Sequence, residues 1–294
     1  MLGEVLTAIV TPFDRDGEID FEAFRRLALH LLEDGSDGFV VAGTTGEAPT
    51  LSDDERLELF RVAVDAVGGG RAAVVAGTGT YSTAHSVHLT EQAHEPGVDG
   101  FLVVTPYYNK PPPRGIVEHF KAIATVSDKP IVVYNIPARV VLNIEPETMA
   151  ELAEIPTVTA VKQANADLDQ ARRIVELGLD LYAGDDNIIQ PFLELGGLGG
   201  VCVHTHVVGP QVKEQVRAWR SGDHERARRL DEELGPSYEL LKVAPNPIAI
   251  KAALHLLGHD VGGHRLPLVE ATPEERERIR DCLERLGVLT ATPA

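Results

Sequence analysis

Val158-Thr159-Ala160-Val161-Lys162 is a short apolar run that ends on a cation. Hydrophobicity that is continuous rather than alternating marks a strand covered on both faces. Seven further runs of the same kind occur along the chain: Leu6–Val10, Gly38–Ala42, Ala72–Ala76, Gly100–Val104, Pro130–Tyr134, Asp180–Ala183 and Gly200–Val203. Their starts lie 20 to 34 residues apart, and a helical pattern follows each. Parallel strands need crossovers of about that length. Eight such units in about 220 residues predict an α/β fold of the closed (β/α)₈ or TIM-barrel kind, ahead of an open doubly wound sheet.

The intervening segments carry helix signals. Asp20-Phe21-Glu22-Ala23-Phe24 opens a helix running to about Glu33, and Ser52 with Glu55 forms a capping box. Beyond Gly222 the strand signal stops. Asp223–Lys242, Asn246–Leu257 and Thr272–Leu286 read as three helices, the last with Pro273 at its first position. The expected organisation is a catalytic barrel over residues 1–222 and a helical appendage over 223–294.

Bulk properties narrow the function. Hydrophobic content of 44% and charged content of 24% over 294 residues describe a globular chain with ample core. A net charge of −18 argues against nucleic acid and against an anionic membrane surface as partners, but leaves room for a small anionic substrate in a basic pocket. Cys202 and Cys282 offer neither a disulfide framework nor a paired metal motif, and Cys202 reads as core filler. No signal-peptide pattern and no 18-residue apolar stretch is found, so a cytoplasmic protein is expected.

In a barrel, chemistry collects at the C-terminal ends of the strands. There the sequence places Gly43-Thr44-Thr45-Gly46-Glu47, Thr105-Pro106-Tyr107-Tyr108-Asn109, Tyr134-Asn135-Ile136-Pro137-Ala138-Arg139, Lys162-Gln163, Gly184-Asp185-Asp186 and His204-Thr205-His206. Lys162 is one of seven lysines. An ammonium at the inner end of a buried strand loses hydration, which favours the free amine, a nucleophile that forms Schiff bases with carbonyls. The plain structural alternative is a lysine that snorkels to solvent. Arg139 or backbone N–H groups would hold a substrate carboxylate, and phenols and threonines would move protons. His204 and His206, sharing a strand face, could with Asp185 and Asp186 make a metal site, but wall-lining is favoured and no metal is expected. The run Gly196-Gly197-Leu198-Gly199-Gly200 is read as close packing rather than phosphate binding. Gly43–Glu47 lacks the Lys-Ser/Thr ending of a P-loop.

Gly43-Thr44-Thr45-Gly46-Glu47, Pro106-Tyr107-Tyr108-Asn109-Lys110-Pro111, Tyr134–Arg139 and Val161-Lys162, in that order, together with Pro245-Asn246-Pro247, resemble the dihydrodipicolinate synthase family. That family belongs with N-acetylneuraminate lyase among the pyruvate-dependent class I aldolases, and the resemblance spans essentially the whole chain. It implies that Lys162 forms the imine with pyruvate, with no other cofactor, and that Tyr134 is the central proton donor and acceptor. Thr45 would link Tyr134 to Tyr108, which in the family reaches in from a neighbouring subunit of a homotetramer. Thr44 would position substrate, and Arg139 would hold the carboxylate of L-aspartate 4-semialdehyde. Backbone groups around Thr44, Thr45 and Val201 would face the pyruvate carboxylate and the imine. The implied product is 4-hydroxy-tetrahydrodipicolinate, on the route to lysine and diaminopimelate. The chain departs from the usual family pattern at Gln163, Ala138 and Ala244. The rival readings are an aldolase that cleaves a 2-keto-3-deoxy acid and a barrel that binds a keto acid without turnover. Some family members are inhibited by lysine between subunits. Here the matching stretches read Ala48-Pro49, Asp53, Arg56, Tyr81 and His85, with only Tyr107 retained, which implies insensitivity to lysine.

Overall fold

The eight runs become β1 (Val5–Ala8), β2 (Gly38–Val41), β3 (Ala73–Gly77), β4 (Gly100–Val104), β5 (Ile131–Asn135), β6 (Val158–Gln163), β7 (Asp180–Ala183) and β8 (Gly199–Cys202). In this computed structural model each strand pairs in parallel with the next, and β8 returns to β1 to close the barrel. The structure describes residues 2–68 and 70–290; Met1, Gly69 and residues 291–294, which the expected ranges 1–222 and 223–294 include, lie outside the described residues.

Closure explains why the strands lack polar alternation. Leu6, Val40, Val75, Leu102, Val132, Ala160, Tyr182 and Val201 point inward and fill the barrel. Their neighbours Val5, Phe39, Val74, Phe101, Val133, Val161 and Leu181 point outward into a second cluster under the helices. Both faces are dry, so both sets are apolar.

β3, β5 and β6 each run one residue further than the sequence suggests. β5 and β6 include Asn135 and Gln163 because the ladder continues, with Ala164 N donating to the Asn135 carbonyl at 2.9 Å. The glycine run before β8 is there for close approach. A Cβ on Gly199 would sit 1.9 Å from the Glu4 carbonyl, and one on Gly197 would sit 2.7 Å from that of Phe192.

The expected capping box forms at Ser52/Glu55, and a second closes at Thr272/Glu275. The expected helix Asp223–Lys242 is instead two, His224–Glu233 and Gly235–Leu240. Pro236 has no N–H to continue the ladder, which breaks the helix there. Ile248–Leu256 and Pro273–Arg285 follow. Leu240, Ile248, Leu254 and Ile279 from these helices join the same hydrophobic cluster as Phe24 and Val212 of the barrel layer. No helix among the described residues is long and apolar enough to cross a membrane.

Candidate active site

Lys162 on β6 and Tyr134 on β5 are register partners, so both side chains enter the barrel at the same level. Each is 4% exposed, and Lys162 Nζ lies 4.3 Å from the centroid of the Tyr134 ring. The residues next to them point the other way and form an amide network. Asn135 Nδ2 donates to Gln163 Oε1 at 3.0 Å and to Asn143 Oδ1 at 2.9 Å, while Gln163 Nε2 donates to Gln170 Oε1 at 2.8 Å and Asn165 Oδ1 at 2.9 Å. Both amides are wholly buried. This accounts for Gln163: a carboxylate in its place would have no N–H to give to Asn165 and Gln170.

A cavity of about 510 Å³ opens over this pair, with Thr44, Thr45, Arg139 and Asp185 also on its wall. Thr45 is buried, and its Oγ1 accepts a hydrogen bond from Asn246 Nδ2 at 3.0 Å. In the sequence Asn246 stands only as part of a Pro-Asn-Pro motif; its contact with Thr45 spans 201 positions and leaves no local pattern. Arg139 lies in the short helical turn Pro137–Val140 and is exposed at the mouth. Asp185 keeps solvent access but is crowded by protein. That burial, with Asp186 beside it, pushes its carboxyl up, against the pull of Lys162 and Arg139.

Val201, of which only the backbone is expected to face substrate, packs its side chain inside the barrel, and Val203 lines this cavity. Tyr108 has φ 67° and is 92% exposed, so within one chain it points away from Thr45 and Tyr134; Tyr107 turns inward instead, toward a second cavity.

The loop carrying Thr44 and Thr45 is clamped by a buried charge cluster that sequence reasoning missed. Glu47, with φ 57°, places Oε1 2.7 Å from Lys251 Nζ and 3.2 Å from His264 Nδ1. Lys251 also donates to the Gly263 carbonyl at 2.7 Å. Burial pushes the Glu47 carboxyl up, but the His264 hydrogen bond and the Lys251 ammonium outweigh it and leave it below the ordinary value. Lys251 shifts down, burial exceeding the pull of Glu47.

The histidine pair departs from expectation. β8 ends at Cys202, so His204 and His206 are not on a strand but at the start of the helix Thr205–Arg220. His206 has both ring nitrogens engaged, Nδ1 with the Val203 carbonyl at 2.7 Å and Nε2 with Val10 N at 3.3 Å. A different trio, Asp186, Cys202 and His204, has ligand-type atoms within 4.8 Å of one another among the described residues. Asp186 Oδ1 there already accepts from the backbone N–H groups of Val203 and His204, at 2.7 and 2.9 Å, which is a loop-capping role.

Chemically, the mouth offers a buried amine beside a phenol, a hydroxyl held by an amide, and an unburdened guanidinium at the rim. The sequence profile described as the Dihydrodipicolinate synthetase family matches residues 1–286. A 4-hydroxy-tetrahydrodipicolinate synthase of Desulforudis audaxviator is 48% identical over 290 residues, covering 98% of each chain. The crystal structure of a dihydrodipicolinate synthase from Cyanidioschyzon merolae with lysine bound superposes with a TM-score of 0.96 at 43% identity, covering 98% of this chain and 99% of that one. A protein described as the first monomeric dihydrodipicolinate synthase variant superposes with a TM-score of 0.94 at 40% identity, covering 98% of each chain.

Proposed function

The chain belongs to the dihydrodipicolinate synthetase family, and on that footing we propose that it condenses pyruvate with L-aspartate 4-semialdehyde to give 4-hydroxy-tetrahydrodipicolinate, through an imine on Lys162. The observation that carries this reading is the register pairing that sets the Lys162 amine against the Tyr134 ring inside the barrel mouth. The amine adds to the pyruvate carbonyl and water leaves, which requires a proton on the departing oxygen. The Tyr134 phenol beside Lys162 supports its role in giving that proton and later taking one back. Loss of a methyl proton then yields an enamine carbon that attacks the aldehyde, and the amino group of the semialdehyde closes the ring and frees Lys162.

A lone phenol exchanges protons reluctantly near neutral pH, so a relay through hydroxyls helps. Thr45, fixed by Asn246, supports such a relay toward Tyr108 of a second copy. The outward Tyr108, held on a positive-φ loop, favours an assembly in which neighbouring chains exchange this residue. A homotetramer built as a dimer of dimers fits that requirement. Arg139 would take the semialdehyde carboxylate and Thr44 the pyruvate end, with no separate cofactor. A cytoplasmic location matches this biosynthetic role.

The test is chemical. Pyruvate with borohydride should leave a reduced adduct that mass spectrometry finds on Lys162, and turnover should be fastest with the semialdehyde among a panel of 2-keto-3-deoxy acids. An adduct on another lysine, or faster cleavage of a keto-deoxy acid, would sink the reading.

A further inference from the structure

His204 follows the end of β8 and leads into the helix Thr205–Arg220, where it is wholly buried. Its two ring nitrogens are treated differently. Nδ1 lies 3.0 Å from Ser237 Oγ, and the Ser237 hydroxyl gives its one hydrogen to the Leu234 carbonyl at 2.7 Å. Ser237 is therefore the acceptor of this pair, so Nδ1 carries the proton and Nε2 of the neutral ring keeps a lone pair. That Nε2 is buried with no hydrogen-bond partner among the described residues, and it stands 3.4 Å from Asp186 Oδ1. Two acceptor atoms thus face each other in a dry site with no N–H or O–H between them, a costly arrangement. The Cys202 sulfur completes the group: a ligand-type atom from each of the three residues lies within 4.8 Å of the other two.

A carboxylate, a thiol and an imidazole lone pair converging on one point are a ligand set for a borderline-soft divalent metal. With bonds of about 2.0 Å, nitrogen and oxygen ligands of a tetrahedral zinc sit roughly 3.3 Å apart. His204 Nε2 and Asp186 Oδ1 are close to that separation. We propose that Asp186, Cys202 and His204 hold one zinc ion, which ties the segment after β7 to the end of β8 and the start of the following helix. Asp186 is already fixed by the N–H groups of Val203 and His204, which use two of its roughly four acceptor sites and leave the rest to a metal. Ser237 is the outer partner that orients a metal-bound histidine through its other nitrogen. Asp186 also lines the cavity over Lys162, so an ion enters from that side and a water completes its coordination there. The thiol proton passes to solvent as the metal binds. His206 takes no part, since both its nitrogens are engaged. This zinc is structural and plays no part in the imine chemistry.

The full chain, freed of metal by chelation, is titrated with zinc against a competing chromophoric chelator and with cobalt(II) followed by absorption. One zinc per chain should bind, magnesium should not, and cobalt should give the near-ultraviolet band of a thiolate ligand. Cys202→Ser should abolish that band. Cys202→Ser and His204→Gln should each weaken zinc by more than the roughly 10–100-fold that loss of an outer partner costs, and Ser237→Ala should fall within that range. Cys282→Ser and Lys162→Ala should bind zinc as the unaltered protein does. Should the ligand variants fail to fold, X-ray absorption on the zinc-loaded unaltered protein decides. One sulfur at about 2.3 Å, with nitrogen or oxygen at about 2.0 Å, supports the site. A first shell without sulfur, a band that survives Cys202→Ser, or zinc binding unchanged in His204→Gln overturns it. Zinc lost in Lys162→Ala also overturns it, by placing the metal at the catalytic mouth.

Discussion

Two buried lysines sit in this molecule under opposite regimes. Lys251, 1% exposed, is met by Glu47 at 2.7 Å and by the Gly263 carbonyl at 2.7 Å, and it lies 4.5 Å from the centroid of the Phe13 ring. Lys162, 4% exposed, faces the Tyr134 ring, and the ion pairs found among the described residues include Lys251 but not Lys162. A fully met ammonium is inert, because its partners hold its proton and the charged form has no lone pair to offer a carbonyl. A lysine met only by an aromatic face has no carboxylate holding its proton, so its amine can reach a carbonyl. The difference separates a lysine that fastens a loop from one that can do chemistry, although both look equally improbable as buried cations.

The contrast is sharpest under one substitution made at both places. Lys162→Met should lower turnover by roughly 10⁴-fold or more, the scale seen on losing a nucleophile, and should leave the protein as stable or more stable by about 0.5–2 kcal/mol. Lys251→Met should instead cost about 3–5 kcal/mol, because it strands Glu47 in a dry site. Urea melts and steady-state rates on the two variants check this. Equal loss of stability in both would break the contrast.

Glu47→Gln attacks the same clamp from its other side and should also cost about 3–5 kcal/mol at neutral pH. The pH dependence has a definite sign. The folded carboxyl titrates below its ordinary value of 4.5, so its contribution is present above that value and lost as pH falls through the folded one. The stability gap between the unaltered protein and Glu47→Gln should therefore close on acidification below pH 4.5. A gap that widened there would mean that the carboxylate does not hold the loop.

The fold was legible because it is written locally. Most strands are contiguous apolar runs, and Ser52 and Thr272 announce their helices within four residues. Lys162 and Tyr134 were legible for a related reason, since each closes an apolar run in the sequence and barrel chemistry gathers near strand ends. Lys251, His264 and Asn246 were not, because their partners Glu47 and Thr45 lie 201 to 217 positions away. Nothing periodic marks such contacts. The histidines read as strand residues because Val203 continues the apolar run, although the ladder stops at Cys202. Tyr108 shows a different limit: its exposed position in one chain acquires meaning only from a second copy.

Smaller effects test the rim and the relay. Arg139 is exposed rather than buried, so its loss should resemble that of one charged hydrogen bond, about 1.5–3 kcal/mol. In Arg139→Ala this should appear in kcat/KM for the semialdehyde, with imine trapping by pyruvate little changed. Asn246→Ala releases the Thr45 hydroxyl from one neutral hydrogen bond and should cost about 0.5–1.5 kcal/mol, seen in kcat more than in KM. A normal Arg139→Ala enzyme would shift the carboxylate elsewhere and favour the keto-deoxy acid alternative.

The smallest expected effect is none at all, on adding lysine. A bound lysine ammonium near the turn after Glu47 would need an uncommitted carboxylate. Asp53 is already taken by His85, at 2.9 Å, and Arg56 presents a buried positive charge to the same cavity as Tyr107. A charged hydrogen bond left unmade costs about 1.5–3 kcal/mol, which weakens binding about tenfold or more even before repulsion from Arg56 is counted. Calorimetric titration of L-lysine should therefore show no tight binding, and rates should not fall at physiological lysine. Arg56→Glu supplies the missing counter-charge and should move the protein toward lysine binding. Tight lysine binding to the unaltered chain, with matching inhibition, would show that Arg56 swings away on assembly. The buried cations of this fold would then be less firmly sorted than the two lysines suggest.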